Sequence, residues 1–398
     1  MPWKETCAVS EREKLVRAWL TGRFTMTELA EEFAVSRKTA HKWTARHTLE
    51  GLPGLVDRPR ASLRHPNAVT QAVADAVVRA KLARPLWGPL KLRPLPDEPA
   101  EICQAWPAPS TRGAILARAG LTAMRRRRRH IAPNTMPFRD CLAPNDLWCG
   151  DYKGWFRTGD GSRCNPLTIT DAYGRVLLRC QAVDRQDHRH TRPVFESAFR
   201  EFGLPLAIRT DNGAPFASLA AGGLSDLSVW WVKLGIWPDR IDPGHPEQNG
   251  RHERMHLTLK LECCQLPAAT LREQQLQFDT FRHVFNHERP HQALGFQTPA
   301  SVYRPSPRPY PGHIEDPVYP DGFIERRVRS NGEIRWKGGL VFISTVLPGE
   351  AVGICEGDLG HDVYFGPVLL GRINVKGEKL IRPQSRDRKP GSVTHAPS

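Results

Sequence analysis

Between residues 147 and 210 the chain carries β-rich runs broken by one amphipathic helix, and this order limits the possible folds more than any other feature. Leu147-Trp148-Cys149-Gly150-Asp151-Tyr152 reads as a strand ending at an acid. Asn165 to Asp171 and Arg175 to Val183 are two further runs, joined through Asp171-Ala172-Tyr173-Gly174, and predict a hairpin. Val194, Phe195, Ala198, Phe199 and Phe202 recur at helical spacing, predicting a helix over 191–202. Ala207-Ile208-Arg209-Thr210 is another strand, running into Asp211-Asn212-Gly213. Trp230, Trp231, Val232 and Leu234 fit a helix packed on a sheet, and Arg251 to Cys264 a second one. Antiparallel strands first, then alternating strands and helices, predict a mixed α/β sheet.

The flanks have a different texture. Residues 1–130 hold 24 Lys and Arg against 12 Asp and Glu, which accounts for +12 of the formal net charge of +15. One end of the chain is suited to a polyanion and the remainder is nearly neutral. Ser10-x-x-Glu13 has capping-box spacing and predicts a first helix ending at Gly22. Thr27 opens a second, short helix. Ser36 caps a third over 37–47, with Arg37, Lys38, His41, Lys42 and Arg46 outward and Ala40 and Trp43 inward. Helix, tight turn and basic helix form the helix-turn-helix pattern, whose last helix enters the major groove. A basic three-helix bundle without a DNA role is the plainer alternative.

Gly51-Leu52-Pro53-Gly54 begins a linker, 68–83 an Ala/Val-rich helix, and 111–119 the last helix of a possible second helix-turn-helix. Pro94, Pro96 and Pro99 forbid a regular helix between them. Arg125, Arg126, Arg127, Arg128 and Arg129 form a self-repelling run, suited either to a solvated linker or to a phosphate-binding strap. After residue 304 prolines crowd into an extended segment. Short alternating runs at 333–336, 340–343, 351–354, 363–365 and 368–370 then predict a small β-barrel, followed by a polar tail.

Three carboxylates stand out by position. Asp151 closes a strand, Asp211 follows one, and Glu253 sits near the start of a helix. Acids so placed can converge at one sheet edge, and hard oxygen donors suit divalent cations. Asp160 and Asp242 read as turn acids. Asp171 also precedes a turn but lies near the sheet edge.

Ile208-Arg209-Thr210-Asp211-Asn212-Gly213-Ala214-Pro215-Phe216 resembles the second-acid motif of integrase-type DDE recombinases. Pro246 to Arg254, running on into Leu257-Thr258-Leu259-Lys260, resembles their glutamate motif. Phe285-Asn286-His287-Glu288-Arg289-Pro290-His291 with Thr298-Pro299-Ala300 resembles the closing segment of insertion-sequence transposases, especially the IS481-like group. The resemblance implies a multidomain chain. It has an all-α helix-turn-helix domain at 1–50 and a linker with a second such region at 51–130. An α/β RNase H-like core follows at 140–303, then a proline-rich linker at 304–325, a small all-β SH3-like barrel at 326–382 and a disordered tail at 383–398.

The resemblance also makes Asp151, Asp211 and Glu253 catalytic ligands of two Mg2+ ions, with Mn2+ able to substitute. Asn249, His252 and Lys260 become DNA-contacting residues, and Arg289 and His291 braces of the helix. The implied activity is transposition by in-line phosphoryl transfer, with 3′-end cleavage and strand transfer. The implied partners are the element's terminal inverted repeats, target DNA and further copies of the chain on DNA. A catalytically inactive DNA-binding regulator and a metal nuclease that cuts without joining are the alternatives.

Other classes fit poorly. No apolar run approaches the roughly 18 residues a membrane helix needs. Met1-Pro2-Trp3-Lys4-Glu5 lacks a signal-peptide core, so a bacterial cytoplasmic, nucleoid-associated protein is expected. Nine cysteines without a CxxC pair argue against a disulfide framework or a zinc knuckle.

Overall fold

The computed structural model describes residues 7–59, 68–122, 141–241, 250–357, 360–374 and 376–382. The chain divides into two compact units, Met1–Thr70 and Gln71–Ser398. The expected tail, Arg125 to Arg129 and Asn249 lie outside the described residues.

The first unit holds α1 (Ala8–Leu20), α2 (Met26–Glu32) and α3 (Arg37–Glu50). Leu15, Val16, Ala30, Ala40, Trp43 and Leu55 form its core. Ser36 caps α3 as expected, its hydroxyl accepting from the Thr39 N–H at 3.1 Å. The other two caps differ from expectation. Cys7, not Ser10, precedes α1, and Ser10 fills the third position of that capping box. Thr25, not Thr27, caps α2, in a box completed by Glu28. The expected linker at 51–59 is partly structured. Gly51 takes φ 68°, and Leu52–Leu55 form a short 3-10 turn that buries Leu55 under the three helices.

The second unit begins with α4 (Gln71–Ala83), α5 (Ala100–Gln104) and α6 (Pro109–Arg118). The proline-rich stretch between α4 and α5 carries no regular helix, as its composition requires. Its central sheet contains β1 (Leu147–Tyr152), β2 (Phe156–Arg157), β3 (Arg163–Asp171), β4 (Leu177–Val183), β5 (Ala207–Thr210) and β6 (Trp237–Arg240). β3 pairs antiparallel with β4 and β1, and β1, β5 and β6 run parallel to one another. This is the mixed sheet the sequence predicts.

Helices cover both faces. α7 (His188–Phe202) and α8 (Asp226–Lys233) pack with Trp148, Leu167, Ile169 and Ile208 on one side. α9 (Gly250–Leu259) and α10 (Leu271–His283) pack with Cys164, Leu177 and Cys180 on the other. Side chains alternate faces along a strand. Leu167 and Ile169 therefore meet α7, while Thr168 and Thr170 meet α9. In β1 the same rule sends Trp148 and Gly150 toward α7, and Cys149 and Asp151 toward the α9 face.

The segment 304–325 is expected to be an extended, proline-rich linker. Its first part lies along the core. The Ser306 N–H donates to the Phe202 carbonyl at 2.8 Å, and the Leu204 N–H to the Arg308 carbonyl at 2.7 Å. Beyond it come β7 (Ile324–Arg327), β8 (Glu333–Trp336), β9 (Gly339–Phe342), β10 (Ala351–Gly357), β11 (Gly360–Phe365), β12 (Val368–Ile373) and β13 (Leu380–Ile381). Among the described residues these strands form an open sheet, β13-β12-β11-β10-β7, and a separate β8-β9 hairpin. The strand pairing therefore does not close the expected barrel. The hairpin supplies Ile334, Trp336 and Val341 as the opposite wall of a shared core, so the apolar faces are covered without a closed ladder.

Gly150 fixes how closely β1 approaches α7. A Cβ there would lie 2.7 Å from Cζ of Phe195, which is fully buried. Gly150→Ala is expected to cost about 1–3 kcal/mol by overpacking, read as a lower urea midpoint with an unchanged slope.

Candidate active site

The site is built at the C-terminal ends of β1 and β5. The last registered pair of these parallel strands is Cys149 with Arg209. Asp151 lies two residues further on within β1, on the α9 face, and Asp211 follows directly after the end of β5. Burial raises the Asp211 carboxyl above the ordinary carboxylate range, opposed by the Gly213 N–H, which donates to Oδ1 at 3.3 Å. The loop after Asp211 is anchored at both ends. Asn212 Nδ2 donates to the Ile241 carbonyl at 3.0 Å, and Phe216 is buried in the core.

α9 brings the third element. His252, Met255, His256 and Leu259 form its buried face, at i, i+3, i+4 and i+7. Glu253 and Lys260 lie on the exposed side, seven residues apart and hence along one stripe. His252 Nε2 and His256 Nε2 each lie 2.7 Å from the Thr168 hydroxyl, and His252 Nδ1 lies 2.9 Å from the Thr170 hydroxyl. Thr168 is the β3 residue opposite Asp151, and its Oγ donates to the Asp151 carbonyl at 3.1 Å. Glu253 thus follows a histidine held directly over the strand pair that carries Asp151. Burial drives the pKa of His252 down to about 3 and that of His256 to about 2, so both imidazoles are neutral.

The expectation that His252 touches DNA is corrected here. Its side chain is 2% exposed and both ring nitrogens are engaged by threonines of β3, so it ties α9 to the sheet. His256 received no role from the sequence. The two histidines share a buried face with Met255 and Leu259, and that helical periodicity is the signal that would have found them. Asp151, His252 and His256 each offer a ligand atom within 4.8 Å of the others. In the first unit, Arg37, Lys38, His41 and Lys42 are exposed along α3 and Arg46 is half-buried. The Lys42 ammonium and the Arg46 guanidinium lie 4.5 and 5.1 Å from the centre of the Trp43 ring.

Residues 142–246 match the family described as integrase core domain, and residues 234–299 match a second integrase core domain family. Residues 11–62 match a helix-turn-helix domain family. By these matches the chain carries an integrase core domain, and it is similar to proteins of insertion elements. It is 30% identical over 187 residues to the insertion element IS407 uncharacterized 31.7 kDa protein of Burkholderia multivorans (strain ATCC 17616 / 249), covering 46% of this chain and 64% of that protein. It is 28% identical over 158 residues to the insertion element IS476 uncharacterized 39.2 kDa protein of Xanthomonas euvesicatoria, covering 39% of this chain and 44% of that protein. The matched stretches therefore span less than two thirds of either relative.

Among solved structures, the HTLV-2 integrase catalytic core domain in complex with magnesium (trimeric form) is 18% identical at a TM-score of 0.31, covering 41% of this chain and 99% of that one. A simian T-cell lymphotropic virus intasome in complex with PP2A regulatory subunit B56 gamma is 16% identical at a TM-score of 0.35, covering 72% of this chain and 95% of that one.

The motif residues near the end of this integrase-core chain serve packing. Asn286 exchanges two 2.9 Å hydrogen bonds with the backbone of Leu177. Arg289 pairs with Glu262 at 2.9 Å, and His291 packs edge-on against Phe285. Asp171 lies three registered pairs along the ladder from Thr168, opposite Trp148 rather than Asp151. It is buried, and its two oxygens accept from the N–H groups of Asn145 and Gly174. Desolvation pushes its pKa up to about 6. Asp171 is a loop clamp. Asp171→Ala orphans two buried donors, each costing about 1–3 kcal/mol, so a clear fall in urea midpoint is expected. An unchanged midpoint would restore Asp171 as a candidate site acid.

Proposed function

We propose that this protein is a DNA transposase that cleaves 3′ ends of an insertion element and joins them to target DNA. What supports the reading is the match of residues 142–246 to an integrase core, with Asp151 in β1 and Asp211 just past β5, two strands that pair in parallel. Glu253, on the exposed side of the helix pinned above Asp151, completes a set of three hard oxygen donors. Such donors fit magnesium or manganese. When bound, two divalent ions supply charge neutralisation for the attacking and leaving oxygens of an in-line displacement.

The chain's own residues do the positioning. Asp151 and Asp211 aim their carboxylates at the edge where a scissile phosphate would lie. Lys260, on the Glu253 stripe, brings positive charge to the adjoining DNA backbone, and Asn249 is a further DNA contact. α3 reads the element's terminal repeats through Arg37, Lys38, His41, Lys42 and Arg46, while Arg125 to Arg129 strap phosphates. The C-terminal β unit adds further phosphate contacts. Joining two ends requires more than one copy on DNA.

Asp211→Asn tests the chemistry, since it keeps the side-chain shape and removes the charge. Joining of pre-cleaved element ends to a plasmid should fall at least about a hundredfold while end binding is unchanged. Equal joining by both chains would sink the acidic site. A parent chain that nicks but never joins would make it a nuclease, and one that binds with neither activity would make it a regulator. Lys42→Ala tests the α3 reading. If Lys42 neutralises one phosphate, the slope of log affinity against log salt should shrink by about 0.9.

A further inference from the structure

Three long-range contacts gather four separate segments beside α9. Arg251 Nη1 donates to the Ala172 carbonyl at 3.1 Å, setting the start of α9 against the turn between β3 and β4. Arg289 pairs with Glu262 at 2.9 Å, setting the residues after α10 against those after α9. Arg84 pairs with Glu288, bringing in α4 and the loop behind it. Positive charge outruns negative charge there. Lys91 of that loop is half-buried, held between the buried Trp87 and Leu92. Arg289, Arg254 and Arg175 lie near enough to oppose its charge, and Glu262, which favours it, is already held by Arg289. Desolvation first, and then those arginines, pull the Lys91 pKa down to about 8. Arg175 is half-buried too, opposed by Arg251 and Arg254, and its φ of 60° is a left-handed conformation that long side chains rarely adopt. Among the described residues, the side chains of Lys91, Arg175 and Arg254 form no hydrogen bond or ion pair. Desolvated cations crowded by like charge weaken a fold, and what they lack is an anion.

We propose that Lys91, Arg175 and Arg254 form a phosphodiester-binding site that grips the element's own end across α9 from the stripe of Glu253 and Lys260. The inference rests on the transposase reading given above and adds a second hold on the same duplex. Arg251 and Arg254 are three residues apart and share a helix stripe, distinct from that of Glu253 and Lys260. A helix is about 10–12 Å across, and successive phosphates of one strand advance about 3.4 Å along the duplex axis. The site therefore meets phosphates roughly three nucleotides from the one beside the acids. Lys91 belongs to the segment that directly follows the helix-turn-helix unit in the chain, which ties the site to the DNA that α3 reads rather than to target DNA.

The test uses the full chain and a labelled duplex carrying the element end, with single neutral methylphosphonate linkages walked along it. Lys91→Met and Arg175→Gly each remove one charge, and glycine suits the φ of 60°. Each should weaken end binding about tenfold and shrink the slope of log affinity against log salt by about 0.9. The urea midpoint should hold or rise in both, because like-charge crowding is relieved. A neutral linkage at the contacted position should weaken the parent chain and add nothing further in the variants. A lower midpoint with an unchanged salt slope overturns the proposal, since the charges then serve the fold. Weaker binding with no linkage on the end that couples to either residue also overturns it, since the patch then serves other DNA. An unchanged affinity in both variants overturns the patch and leaves the reading of α3 standing. A parent chain with no preference for the element end over an unrelated duplex removes the reading on which the site rests.

Discussion

The hydroxyl of Thr168 is the point on which the arrangement of this core depends. It joins three elements: its own strand β3, the backbone of β1 at Asp151, and the buried face of α9 through two imidazoles. None of these partners is close to it in sequence. A buried polar contact of this kind contributes little net stability when satisfied, but it is costly to leave half made. It therefore specifies the seating of α9 more than it strengthens the fold. A slide of α9 along the sheet would strand three ring nitrogens and two threonine hydroxyls. The exposed stripe carrying Glu253 and Lys260 inherits its position from that constraint.

The strands were largely legible because two local rules agree at their ends. β1 spans Leu147–Tyr152 and β5 spans Ala207–Thr210, where the apolar alternation and the turn residues both predict them. Helix starts were less legible. A cysteine is a poor guess for a capping residue, so Ser10 draws the start of α1 three residues late, although its hydroxyl does take part in the cap. β7 escaped because all four of its residues are exposed and show no alternation, and β13 because it is only two residues long. The turn at Leu52–Leu55 was hidden by its glycines and prolines, which suggest an open linker, while burial of Leu55 closes it.

At the site, the acids were legible and their supports were not. Asp151 and Asp211 announce themselves by following strands. His252 and His256 look like ordinary polar residues until the helix is turned so that Met255 and Leu259 face inward. Only the sheet then shows what they meet, since Thr168 and Thr170 are 84 and 82 residues distant from His252. Contacts of such separation leave no local pattern. The same holds for Asp171, whose role as a clamp depends on N–H groups of Asn145 and Gly174 that no spacing rule pairs with it.

The C-terminal β unit is bound to this core by more than a tether. α8 is buried nearly all round. Leu227, Trp230 and Trp231 enter the sheet's core, while Val229 and Val232 enter the core of the β unit beside Leu370 and Phe365. One helix thus serves two hydrophobic cores, and Lys233 at its end pairs with Glu350 at 2.9 Å. The stretch 304–310 adds backbone hydrogen bonds and the Tyr310 ring along α7. Moving the β unit away would expose apolar faces on both sides of α8, at roughly 25 cal/mol for each Å² uncovered. The proline-rich segment therefore works as a strap holding two packed layers together. Any DNA surface formed by the β unit keeps a fixed relation to the edge carrying Asp151 and Asp211.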